Sequence, residues 1–144
     1  MNKFLKFILN VLIYAAIVGA IVWGLPVYLT KKLGTDYPIA AITSGSMWPV
    51  LRTGDLVLIK AVKKEDIKVG DIIVWKNSNG FTIHRVTKLN PNTLVTKGDG
   101  NFTEDEPVKY SDVIGKTVYR GGKPFRIPYM GYVSVWSAKI RANK

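Results

Sequence analysis

The chain has 144 residues, with 21 Lys and Arg against 10 Asp and Glu, one histidine and no cysteine. That length holds one modest domain. Without cysteine there is no disulfide scaffold, no thiol catalysis and no Cys-ligated zinc, and a lone histidine excludes a multi-histidine metal centre. The net charge of +11 would suit a nucleic-acid binder, so its distribution matters. Residues 1–35 carry four basic groups and no acid, and residues 120–144 carry six and no acid. The stretch between is nearly neutral, with no basic strip interleaved with aromatics, so nucleic acid is not an expected partner.

The first predicted element is a membrane helix over about residues 7–30. No charge interrupts Phe7 to Thr30, lysines flank both ends, and Trp23 and Tyr28 lie where interfacial anchors belong. About 20 helical residues cross a hydrocarbon core of ~30 Å. A cleaved signal peptide is the competing reading, with a small-residue site near Ala20. The apolar run continues well past that site, so a retained anchor is expected. Pro26 is tolerable in a membrane helix and marks its expected exit. The predicted organisation is an anchor at 1–33, a β-rich domain at 34–126 and an apolar, aromatic and basic tail at 127–144. The tail is too short to span a bilayer, and either lies at the lipid interface or forms a final strand and a frayed end.

After the anchor comes Ile42-Thr-Ser-Gly-Ser-Met-Trp-Pro-Val-Leu51. A nucleophilic serine needs its hydroxyl on a constrained turn beside free backbone N–H groups. Ser44-Gly45-Ser46 can supply this, although such a triplet on its own usually marks a loop. Strands are then predicted at 56–59, 72–75, 81–86, 93–96 and 113–119, where β-branched and aromatic residues dominate. Asn79-Gly80 and Asn90-Pro91-Asn92 are turn signals between them. Gly-Asp occurs at 54–55, 70–71 and 98–99, for which turn chemistry is the default explanation. The predicted fold is mainly β, a compact antiparallel domain on one N-terminal transmembrane helix.

His84 falls in the third of these strands. A lone strand histidine is usually structural, yet imidazole is the side chain whose ordinary ionisation brackets neutrality. It can take a serine proton at neutral pH without the burial that a lysine base requires. A histidine base needs a carboxylate to orient it. Asp99 and Asp105 are both candidates: the first could merely shape its Gly-Asp turn, and the second sits in the acidic run Glu104-Asp105-Glu106. Asn101-Phe102-Thr103 matches a glycosylation sequon, read here as a chance match.

In order along the chain stand Ser44-Gly45-Ser46-Met47-Trp48-Pro49, Gly54-Asp55 before a strand, Ile83-His84-Arg85-Val86, and Lys97-Gly98-Asp99-Gly100-Asn101 running to Asp105. This combination resembles type I signal peptidases, specifically the endoplasmic-reticulum and archaeal branch, in which histidine replaces the lysine base of the bacterial enzymes. The upstream anchor and Ile127-Pro-Tyr-Met-Gly-Tyr132 also fit, so the resemblance covers nearly the whole chain. It departs in two places: Gly100 stands in a position usually held by Asn, and the run to Asp105 is Phe102-Thr-Glu-Asp105 where the family's is Asp-rich, which bears on the choice between Asp99 and Asp105.

The resemblance implies an integral-membrane serine endopeptidase that cuts signal peptides from exported preproteins after small residues. Ser46 is then the nucleophile, His84 the general base, Asp105 the orienting acid and Asp99 a supporting residue. The Ser46 N–H and the Ser44 hydroxyl form the oxyanion site. No metal or organic cofactor is implied. The partners are preproteins and the lipid bilayer, with the catalytic domain on the extracytoplasmic or lumenal side. Two other readings remain at this point: a membrane-tethered β-barrel binding module without catalysis, and a peptidase of the same fold dedicated to one partner.

Overall fold

The computed structural model describes residues 2–78, 80–132 and 134. The Asn79 half of the Asn-Gly turn signal and most of the C-terminal tail therefore lie outside the described residues.

Two α-helical segments, α1 (Lys3–Gly19) and α2 (Leu25–Leu33), are joined by a π-helical turn at Ala20–Gly24 into one helix of 31 residues. At ~1.5 Å per residue it is longer than the ~30 Å hydrocarbon core, which leaves its terminal lysines outside. None of its residues is buried, and it is a candidate membrane span. Pro26 does not end it. Proline lacks an N–H and crowds the carbonyl four residues back, and the widened turn just upstream relieves both. The helix instead stops at Gly34, whose left-handed φ of 68° lets its N–H close on the Thr30 carbonyl at 2.9 Å.

Among the described residues ten strands follow, β1 (Ile39–Ala41), β2 (Leu56–Lys60), β3 (Ile72–Asn77), β4 (Gly80–Leu89), β5 (Thr93–Lys97), β6 (Val108–Lys109), β7 (Val113–Thr117), β8 (Tyr119–Arg120), β9 (Lys123–Pro124) and β10 (Arg126–Ile127). Eight of them form one sheet, in the order β1-β2-β7-β3-β4-β5-β6 with β10 also paired to β2, and every pairing is antiparallel. The mainly β, antiparallel architecture expected from the sequence is thus the observed one. Strands β2, β3, β4 and β5 extend the expected ones, 113–119 divides at Val118, where β7 ends and a separate β8–β9 hairpin begins, and β1, β6, β9 and β10 were not expected.

Two apolar clusters pack on this framework. Ile42, Met47, Leu51, Val57, Ile59, Ile72 and Val74 form one, and Ile67, Ile73, Val86, Leu94 and Val108 form the other. Strand β3 supplies both, Ile72 and Val74 to the first and Ile73 to the second. It is buried on both faces, which is why it reads as an unbroken apolar run and not as an alternation. The adjoining strand β4 pairs with β3 along its length, so His84 stands opposite Ile73. The register between β4 and β5 shifts after Val86, a bulge that tightens the local twist beside the site.

Candidate active site

The loop after β1 is held from below. Met47 and Leu51 are almost completely buried, and the Leu51 N–H donates to the Met47 carbonyl at 3.0 Å. Trp48 N–H closes on Gly45 carbonyl at 3.0 Å, and the Trp48–Pro49 peptide is cis. Apolar anchors on one side thus lift Ser44, Gly45 and Ser46 to the surface. The two serine hydroxyls stand 3.2 Å apart, within hydrogen-bonding reach.

A second loop, residues 98–101, grips the Ser46 main chain. The Gly100 N–H donates to the Ser46 carbonyl at 2.8 Å. A Cβ at Gly98 would lie 2.5 Å from that same carbonyl oxygen, so only glycine permits this approach.

His84 is buried on β4 and lines, together with Ser44 and Ser46, a cleft of about 580 Å³. The floor and walls are largely apolar, from Ile39, Ala41, Ile42, Val74 and Ile83, and Tyr37 packs against Phe81 with ring centroids 4.8 Å apart. His84 Nδ1 is 2.6 Å from Asp105 Oδ2. A carboxylate only accepts, so Nδ1 is the donor of that bond. The same Asp105 oxygen accepts from Thr96 Oγ1 at 2.6 Å.

Asp99 is engaged elsewhere. Both of its oxygens accept from Arg85, from Nε and Nη2 at 2.7 Å each, and Arg85 Nη1 also donates to the Gly70 carbonyl at 2.8 Å. These bonds to Asp99 raise the guanidinium above its ordinary value, against the opposing effect of burial. Asp99 therefore restrains the loop that holds Ser46, while Asp105 faces the imidazole. Of the residues singled out from sequence, Ser44, Ser46 and His84 line one cleft, Asp105 joins His84, and Asp99 stands apart on Arg85. Thr96 and the contact surfaces of Gly98 and Gly100 carried no sequence signal beyond a polar residue in an apolar strand and the spacing of two glycines.

The Peptidase S24-like family profile matches residues 14–118. The human signal peptidase complex catalytic subunit SEC11C is 30% identical over 143 residues, covering 88% of this chain and 70% of that protein. The SEC11 subunit of Zygosaccharomyces rouxii is 32% identical over 132 residues, covering 81% and 75%. That of Scheffersomyces stipitis is 33% identical over 118 residues, covering 73% and 70%. The matched segment includes Ser44, Ser46, His84, Asp99 and Asp105. The chain belongs to the Peptidase S24-like family, within its endoplasmic-reticulum type I signal peptidase branch.

Proposed function

We propose that this protein is a membrane-anchored serine endopeptidase that removes signal peptides from exported preproteins. The observation that carries the mechanism is the 2.6 Å contact of His84 Nδ1 with Asp105, on a histidine that shares its cleft with Ser46. Asp105 fixes the tautomer, and His84 Nε2 takes the Ser46 proton as the hydroxyl attacks the scissile carbonyl. The Ser46 N–H and the Ser44 hydroxyl bind the developing oxyanion, each such donor contributing typically ~10²–10³ in rate. His84 then protonates the leaving amine, and water repeats the attack on the acyl-enzyme. Asp99 acts at one remove, through Arg85 and the loop under Ser46.

Strand β1 ends the sheet order and lines the cleft, so an extended peptide can pair along its free edge. Apolar walls then select small side chains at the first and third positions before the cut. The helix at 3–33 supplies the anchor and the unit at 34–126 the chemistry, while the described start of the tail at 127–144 packs on the β domain through Ile127 on β2 and the Gly131 N–H on the Gly54 carbonyl. Because a signal peptide is itself membrane-embedded, tethering raises the effective concentration of enzyme at the cut. The resemblance to signal peptidases supports an extracytoplasmic or lumenal catalytic unit.

The test is cleavage of several unrelated preproteins by the detergent-solubilised protein. Wild type should cleave them at their small-residue sites, while Ser46→Ala and His84→Ala remain folded and inactive. Cleavage by Ser46→Ala would exclude the assignment. Restriction to a single substrate would favour a dedicated peptidase over a general processing enzyme.

A further inference from the structure

Antiparallel pairing sets Thr96 opposite Val86 on the neighbouring strand, one step diagonal from His84 on the same face of the sheet. That face also carries Leu94 and Val86, members of an apolar cluster, and Thr96 is completely buried among such company. If packing were all that this position required, valine would have the same shape without a hydroxyl to desolvate. The hydroxyl has a partner, however. Thr96 Oγ1 lies 2.6 Å from Asp105 Oδ2, the same oxygen that meets His84 Nδ1 at 2.6 Å. The main chain adds a second tie, since the Asp105 N–H donates to the Thr96 carbonyl at 2.8 Å.

Asp105 itself belongs to residues 101–107, a segment without strand or helix. An aspartate on such a segment has side-chain freedom to lose before it can orient a base. Thr96, paired with Val86 and completely buried, has little left to lose. From this geometry we propose that Thr96 is a positioning residue, which locks the Asp105 carboxylate in the rotamer that holds the His84 ring. It is the fourth member of a chain running Ser46, His84, Asp105, Thr96. The proposal rests on the peptidase reading above. It is separate from the Arg85–Asp99 pair, which restrains the opposite end of the same loop.

The experiment compares Thr96→Val and Thr96→Ser in the full-length, detergent-solubilised protein. A hydrogen bond to a charged group corresponds to about a ten- to hundredfold change in rate. Thr96→Val should lose that much in kcat on a preprotein while KM stays within about twofold, and Thr96→Ser, which keeps the hydroxyl, should recover most of it. Over Asp105→Ala, Thr96→Val should cost nothing further. The chain has one histidine, so selective ¹⁵N-histidine labelling reports a single imidazole and needs no catalysis. Wild type and Thr96→Ser should show one tautomer with the proton on Nδ1, and Thr96→Val a mixture of both. Wild-type kcat and an unchanged imidazole spectrum in Thr96→Val would overturn the proposal, as would an undiminished loss over Asp105→Ala. Failure of the wild type to cleave any preprotein would instead overturn the peptidase reading, and the imidazole spectrum would still decide the positioning role.

Discussion

Replacing Gly98 with alanine asks how finely the Ser46 main chain must be placed. Gly98 does not use the left-handed region, so alanine meets no intrinsic backbone strain there, and the effect is one of space alone. The new Cβ would stand 2.5 Å from the Ser46 carbonyl oxygen and 2.8 Å from the Asn101 side-chain amide. Asn101 can rotate away. The Ser46 carbonyl cannot, because it is main chain and already bonded to the Gly100 N–H at 2.8 Å. Ordinary contact begins near 3.4 Å, so the two chains must part by roughly 0.9 Å. A misplacement of about 1 Å costs on the order of 10² in rate where groups must be held for attack. We therefore expect kcat/KM on a preprotein to fall about a hundredfold, equivalent to ~2.7 kcal/mol of transition-state stabilisation. Overpacking should lower global stability by only about 1–3 kcal/mol, which a thermal melt measures separately. Gly121→Ala is the control: its φ of 60° and open surroundings predict a backbone cost of about 1–2 kcal/mol and unchanged kinetics. Wild-type turnover by Gly98→Ala would refute the view that this loop sets the position of the nucleophile.

Asp105→Asn should cost about 10³–10⁴ in kcat by destroying the tautomer that Asp105 enforces, whereas Asp99→Asn should cost less rate and more stability, because Arg85 keeps one of its two bonds. The reverse order, from steady-state kinetics beside melting curves, would exchange the roles of the two acids. The raised Arg85 guanidinium gives no pH dependence near neutrality. Its contribution to stability is complete below the ordinary arginine value and disappears only in strong alkali, so melts at neutral and mildly alkaline pH should agree in this respect. Asp55→Ala should lower stability by about 2–4 kcal/mol, since that buried carboxylate accepts from the Arg52 N–H at 2.9 Å and from Arg126 Nη1 at 2.8 Å. Cleavage measured well below the melting point should be unaffected, and a rate loss there would tie Asp55 to the site.

What the sequence made legible, and what it did not, follows from the range of the interactions concerned. The anchor, the longer strands and the Ser44-Gly45-Ser46 turn depend on residues within a few positions of one another, so local pattern reveals them, whereas the short β1, β6, β9 and β10 carry too little pattern of their own. The extra helical turns beyond Pro26 needed a π turn, which no composition announces. The three Gly-Asp pairs look alike along the chain, and there turn chemistry explains only part of what they do. In the fold each aspartate meets a base supplied from elsewhere: Asp55 takes Arg126, 71 positions away, Asp71 takes Lys116, 45 away, and Asp99 takes Arg85, 14 away. Register decides those encounters, and spacing in sequence does not contain it.

The same reasoning explains why two acids in one loop, divided on paper only by the family resemblance, differ in space. Arg85 follows His84, so on a strand the two side chains point to opposite faces of the sheet. An aspartate that reaches the arginine face forms a bidentate ion pair, and its lone pairs in those directions are committed. Asp99 has done so. Asp105 meets no Arg or Lys among the described residues; its partners are the imidazole and one neutral hydroxyl. A carboxylate left unclaimed by a permanent cation stays available to the imidazole. That is the property an orienting acid needs, and here it was set by which face of β4 the loop could reach.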